Sequence, residues 1–284
     1  ACASRQRVAL DAASPSHFLV LDKGVGIDVV MGDERELLDE ALRAAEAGDW
    51  LRARRVYDAL LSDLPESAWR DIYAYNRGLV AMALEDHRAA ARDFVAAAAW
   101  ARTDADRRDA WLHQAIARAG QGHWAEAAQL LEQVLSAEDR PARRVEARTR
   151  AGICRQRLHQ WKVAERHYRA AVTLQQESHD LYLRHHPEWA ARAQYQIGDA
   201  YAERFGGIAL RLPLERMGRD LDEKAHMLLK AQNAFLRTIR VRDATWALAA
   251  GYPAHAAPGT ASADALPPAH PIVYTADIFD RDAL

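Results

Sequence analysis

The sequence predicts an all-α fold, an α-solenoid of antiparallel helix pairs, and three observations carry that prediction. The first is a repeat. Trp50, His87, Trp124 and Trp161 stand 37 residues apart, as do Ala53, Ala90, Ala127 and Ala164, and again Tyr57, Phe94, Leu131 and Tyr168. A fixed period in the thirties, written in helix-forming residues, marks stacked helix pairs that bury their faces only against neighbours. The second is punctuation. Each repeat turns at a short dipeptide, Gly48-Asp49, Glu85-Asp86, Gly122-His123 and His159-Gln160, placed between two helical stretches. The third is composition. Half of the residues are apolar, enough for a continuous core along the stack.

Taken in order, residues 1–33 stand outside the repeat. Ser14-Pro15-Ser16 reads as a loop, and the apolar runs His17–Leu21 and Ile27–Met31 flank Asp22-Lys23-Gly24-Val25-Gly26. They predict a short extended segment or β-hairpin packed on the first helices. Asp33 with Glu36 three residues on forms a capping box ahead of Leu37-Leu38. The helix pairs then run over 34–252, about five of them with a truncated sixth. In each pair the small Ala three residues after the large residue at the turn lets two helices approach, and that large residue and the aromatic or Leu seven positions after it fill the space between turns. Pro65 stops the second helix of the first repeat. After residue 172 the register slips. The second helix of the fourth repeat is expected to continue toward Tyr182, the fifth repeat to start at Trp189, and Leu214–Val241 to form one long helix after a break at Phe205–Pro213. A sixth repeat opens at Trp246, but Pro253 and a Pro/Ala/Gly/Ser stretch follow, which predicts an irregular tail over 253–284.

Charge and motifs exclude more than they assign. Lys and Arg number 38 against 40 Asp and Glu, a net charge of −2, which argues against nucleic acid as a partner. No apolar run reaches the roughly 18 residues that suggest a membrane span. There is no glycine-rich phosphate loop and no HExxH motif, and the cluster His179, His185 and His186 matches no standard metal spacing. No cofactor and no catalytic residue is expected. Cys154 falls on a helix as a small buried apolar side chain, and Trp50, Trp124 and Trp161 are expected in the core.

These residues resemble the tetratricopeptide-repeat family. Gly48-Asp49-Trp50, Ala53, Tyr57, Leu60 and Pro65 stand at that family's turn, second-helix and terminating positions. Ala41, Gly78, Ala115 and Gly152, again 37 apart, occupy its small-residue position on the first helix, and Trp111 its leading aromatic position. The family's usual period is about 34, so each repeat here is longer, and Arg77 stands where a Leu is usual. The resemblance implies a non-enzymatic protein-interaction scaffold whose first helices line a groove. Carried onto this chain, the groove positions are Tyr75, Asn76, Leu79, Met82, Leu112, Ile116, Thr149, Ile153, Gln156, Tyr195 and Asp199, with Leu38, Leu42 and His113 beside them. The set is largely apolar and aromatic. It suits a protein or peptide partner with an apolar face, bound with weak salt dependence. The Lys/Asn/Arg clamp of chaperone-docking members is not reproduced, since only Asn76 would fit.

The start Ala1-Cys2-Ala3-Ser4 is similar to the end of a bacterial lipoprotein signal, in which the Cys becomes lipidated. This implies membrane contact through a lipid on Cys2, and a periplasm-facing outer-membrane lipoprotein of the cell envelope. The combination is similar to tetratricopeptide-repeat lipoproteins of the myxobacterial gliding-machinery type. The alternatives are a cytoplasmic regulatory adaptor, or the repeat module of a larger enzyme.

Overall fold

The computed structural model describes residues 17–22, 27–241 and 243–251. Cys2 and the expected tail over 253–284 lie outside them. The described chain falls into two compact units, which divide between Thr103 and Asp104.

The N-terminal unit opens with β1 (His17–Asp22) and β2 (Ile27–Gly32), paired antiparallel from His17↔Gly32 to Asp22↔Ile27. The expected hairpin is therefore present, with β1 against the second helix and β2 against the first. Four helices follow: α1 (Glu34–Glu46), α2 (Trp50–Asp63), α3 (Arg70–Ala83) and α4 (His87–Trp100). The capping box forms as the sequence indicates, with the Glu36 amide donating to Asp33 Oδ1 at 2.8 Å and the Asp33 amide to Glu36 Oε2 at 3.0 Å. α2 ends two residues before Pro65, whose ring and missing N–H cannot continue a helix. The core of this unit is built on Leu37, Leu38, Val56, Tyr57, Leu60 and Tyr73, all sealed from solvent. The Tyr73 hydroxyl donates to Glu34 Oε1 at 2.7 Å.

The C-terminal unit contains α5 (Asp104–Gly120), α6 (Trp124–Ala137), α7 (Pro141–Arg157), α8 (Trp161–Glu177), the short α9 (Leu181–His185), α10 (Glu188–Gly207), α11 (Leu214–Arg240) and α12 (Ala244–Gly251). α5 pairs with α6, α7 with α8, and α10 with α11, and α12 begins a further pair against α11.

The repeat frame is one local structure used four times. Gly48, Glu85, Gly122 and His159 all take positive φ, between 56° and 78°. In each, the next amide reaches back to a carbonyl five residues earlier: Asp49 to Ala44, Asp86 to Ala81, His123 to Arg118 and Gln160 to Arg155, at 2.8 to 3.0 Å. This closes the first helix with its carbonyls satisfied and starts the second within two residues. Ala53, Ala90, Ala127 and Ala164 are each 0% exposed, which is the close approach that the 37-residue spacing indicates.

The small residue on each first helix has a definite partner. A Cβ added to Gly78 would lie 2.8 Å from Phe94 Cε1, and one added to Gly152 would overlap the Tyr168 ring. The fifth pair repeats the arrangement, where a Cβ added to Gly198 would lie 2.6 Å from the Phe235 ring, although far more chain separates the two residues there. At these three glycines the facing ring leaves no room for a methyl group. Ala41 and Ala115 fill the equivalent positions elsewhere.

Two expectations are corrected. The second helix of the fourth repeat does not run on to Tyr182. α8 stops at Glu177, and a new short helix begins after Asp180, whose carboxylate caps the Tyr182 amide at 2.8 Å. Ser178 Oγ accepts from the Asp180 amide, so two local side-chain acceptors compete with helix continuation. The repeated tryptophans are also only half-buried. Trp124 lies 5.8 Å under the Arg157 guanidinium, and Trp161 packs its ring 5.4 Å from that of His159.

Candidate functional site

The first-helix positions expected to line a groove divide by burial. On α3, Tyr75 is buried edge-on to Phe94 with ring centroids 5.5 Å apart, and Asn76 is buried, while Leu79 and Met82 stay partly exposed. On α5, Leu112 and Ile116 are core residues, and His113 Nδ1 lies 2.9 Å from the Asp109 carbonyl. On α7, Thr149 is 0% exposed, and its hydroxyl lies 2.9 Å from the Val145 carbonyl and 3.2 Å from that of Trp189. Ile153 is partly buried. Gln156 is buried, with its amide donating to Asp199 at 3.0 Å and Glu203 at 3.2 Å and its carbonyl accepting from Tyr168 at 2.8 Å. On α10, Tyr195 is half-buried between Phe235 and Trp246, at 5.4 and 5.2 Å, and Asp199 is half-buried.

Leu112 and Thr149 are thus packing residues. The spacing that presents a side chain off one helix pair also drives it into the next pair, as Thr149 on α7 meets Trp189 on α10. The same region stacks cations on aromatics. The Arg150 guanidinium is 4.3 Å from the Trp189 ring, and that of Arg192, buried in the same layer, lies 5.4 Å from Trp189 and 5.5 Å from Trp246.

The open concavity of the C-terminal unit lies elsewhere, between the second helices α8 and α11 and the first helix α10. α8, α9, α10 and α11 enclose a recess of about 1090 Å³. Its apolar floor is Val172, Ala190, Ile197 and Ala234. Its walls carry five cations, Arg169, Arg184, Lys230, Arg237 and Arg240, against one carboxylate, Glu165. That carboxylate is already engaged. It accepts from Arg169 Nη2 at 2.6 Å and from the Tyr201 hydroxyl at 2.8 Å. Burial alone would raise its pKa, but the hydrogen bonds from Arg169 and Tyr201 outweigh burial and hold Glu165 below the usual carboxylate range. The Lys230 ammonium lies 5.2 Å from the Tyr201 ring. Gln194, buried in the floor, donates to the Ala234 carbonyl at 3.3 Å. Arg184, Arg237 and Arg240 have no carboxylate partner among the described residues.

Sequence reasoning missed this recess because it followed first helices. The signal was present in α11, where Lys230, Asn233, Arg237 and Arg240 recur at three- and four-residue steps on one face. The facing Arg169 on α8 and the extra helix α9 that supplies Arg184 required the fold. Cys154 is a core residue, and burial pushes its thiol up to about 11, so it is inert.

The repeated turns, the small-on-aromatic contacts and the successive helix pairs define the class: this is a tetratricopeptide-repeat solenoid fold. Among solved structures, the chain is similar to the crystal structure of MamA protein, with a TM-score of 0.50 at 16% identity over 74% of this chain and 96% of that one. It is also similar to YrrB, described as a TPR protein with an unusual peptide-binding site, with a TM-score of 0.49 at 20% identity over 77% of this chain and 92% of that one. No protein-family model and no curated protein matches the sequence.

Proposed function

We propose that the chain is a non-enzymatic protein-interaction scaffold, and that the recess of the C-terminal unit holds an acidic peptide segment of its partner. The observation that carries this reading is the imbalance of the recess walls, five cations around a single carboxylate that is already hydrogen-bonded. Guanidinium groups held around a partly apolar floor favour carboxylate-bearing segments with interspersed apolar side chains. Association with such a segment weakens as salt rises, the reverse of what an apolar groove would give.

The test uses a fluorescein-labelled peptide of alternating Glu and Leu, and its Lys/Leu counterpart, read by fluorescence anisotropy. The acidic peptide binds and the basic one does not. The double variant Arg184→Glu/Arg237→Glu weakens binding at least ~30-fold while the helical circular dichroism signal stays intact. Equal binding by wild type and double variant would remove the recess from the reading.

The cellular setting we propose is the bacterial envelope, through a lipid on Cys2, with a cytoplasmic adaptor as the alternative. Expressed with its native leader, the chain fractionates with membranes and Cys2→Ser releases it. Full solubility of the native protein would favour the cytoplasmic alternative.

A further inference from the structure

The last long helix, α11, has three faces with different fates. One packs into the core through Met227, Ala231, Ala234, Phe235 and Thr238. A second turns Lys230 and Arg237 into the cationic recess. The third is apolar and bare. Leu214, Leu221, Leu228, Leu229, Leu236 and Ile239 are between 40% and 70% exposed, and no helix of the N-terminal unit presents a comparable row. Between them on the same face stand Gly218, Ala225 and Gln232, so it carries no charge along a helix about 40 Å long. An uncharged aliphatic stripe of this kind is covered in use.

The charges along the edge of the stripe indicate by what. The edge between the stripe and the recess side reads, from the N-terminus, Glu215, Asp222, His226, Asn233, Arg240, the last two also lining the recess. It is acidic at one end and basic at the other. The opposite edge is occupied by the chain itself, with Lys224 Nζ donating to the carbonyls of Phe205 and Ile208 at 3.0 and 3.1 Å. A second copy of α11 laid antiparallel on the stripe brings the same edge against itself reversed. Glu215 then faces Arg240 of the other copy, and Asp222 faces Asn233, in a single register centred near Leu228. A parallel copy would set Glu215 on Glu215 and Arg240 on Arg240.

We infer that α11 is a self-association face, on which two copies of this chain pair antiparallel through Leu214–Ile239 as a two-fold dimer. The contact is isologous, so every favourable pair occurs twice and the assembly closes at two copies. The edge shares Asn233 and Arg240 with the recess, but the recess variants Arg184→Glu and Arg237→Glu leave the stripe and its charged edge untouched, so the two tests fail separately.

Sedimentation equilibrium of the full chain tests it. Wild type is a dimer at micromolar concentration. Leu228→Asp sets two carboxylates against each other at the centre of an apolar contact. It raises the dissociation constant at least ~100-fold, with an unchanged helical circular dichroism signal because Leu228 is a surface residue in one copy. Glu215→Arg and Arg240→Glu each weaken the dimer about tenfold, and together they restore it, which no unfolding of α11 would mimic. A wild-type monomer throughout would overturn the inference and leave the stripe to a different protein. So would a dimer indifferent to Leu228→Asp, or a double reversal no better than its parents.

Discussion

The two units use one repeat frame and build different surfaces on it. In the N-terminal unit the helices are 13 or 14 residues long, and a hairpin lies against the first pair. In the C-terminal unit they lengthen to as many as 27 residues and an extra helix intrudes after α8. Both units hold buried carboxylates with arginines, as Arg77 holds Asp93 at 2.6 Å in the first, but the C-terminal unit gathers several. There Arg140 bridges Asp109 at 2.8 Å and Glu138 at 2.8 Å, with Arg108 and Arg143 close by. The cationic recess and the bare aliphatic stripe occur where the chain departs from the 37-residue rhythm. The frame fixes stacking, and the departures supply surfaces that a partner can reach.

The strongest way to test that the frame is common is to fill its tightest contact in each unit. Gly78→Leu and Gly152→Leu drive a side chain into Phe94 and Tyr168. Each should lower stability by about 3 kcal/mol or more, read as a fall in melting temperature. If either glycine tolerates leucine, the units do not share the contact.

Next in size, Arg140→Ala should separate the units. It leaves Asp109 and Glu138 buried with weakened support and should cost about 2 kcal/mol. In segment-resolved hydrogen exchange the lost protection should be confined to α5–α7.

Acid should act in the same direction. Burial alone would raise the Glu138 pKa, but hydrogen bonds from the Arg140 side chain and backbone, with the charges of Arg140 and Arg108, lower it to about 2. Glu146 is likewise lowered, where the charges of Arg150 and Arg143 outweigh burial. A depressed carboxylate contributes stability that is present above its unfolded pKa and is lost as pH falls through the folded one. The C-terminal unit should therefore weaken as pH drops from about 4.5 toward about 2. Glu138→Gln should start less stable at neutral pH and show a flatter acid profile.

The smallest effect is one of backbone strain. Glu85 and His159 adopt φ of 59° and 56° at turns where Gly48 and Gly122 sit without cost. Glu85→Gly and His159→Gly should each stabilise by up to about 1 kcal/mol, and Gly48→Ala and Gly122→Ala should destabilise by a similar amount. Opposite signs at equivalent turns would show that the four turns are not one structure.

The solenoid was legible because its information is local and repeated. The turn dipeptides, the buried Ala series and the small residue facing an aromatic recur at fixed spacing, and the hairpin at 17–32 announced itself by two apolar runs about a short connection. The site was less legible. Offsets along a first helix locate Leu112 and Thr149 on a face, but whether that face meets solvent or another helix pair depends on packing between repeats. The break at Ser178–Asp180 hid in the same way, since Leu174-Gln175-Gln176 favours helix and only the capping geometry shows where it ends. The recess joins α8, α9 and α11, residues as far apart as Glu165 and Arg240, and no single stretch of sequence contains it.

The leucines of α11 drift in helical phase along its length. Phe235, Leu228, Leu221 and Leu214 are spaced by sevens, and their exposures rise in that order: 8%, 40%, 55% and 70%. Seven residues fall about 20° short of two full turns of a straight α-helix. A row that begins in the core at Phe235 therefore rotates outward by that step with each heptad and surfaces as the stripe. The burial of Phe235 and the position of Leu214 are two ends of one angular drift. Deleting a single residue between them would turn the N-terminal half of α11 by about 100°, carrying Leu214 and Leu221 to where the charged edge of Glu215 and Asp222 stands while Phe235 stays seated against Gly198.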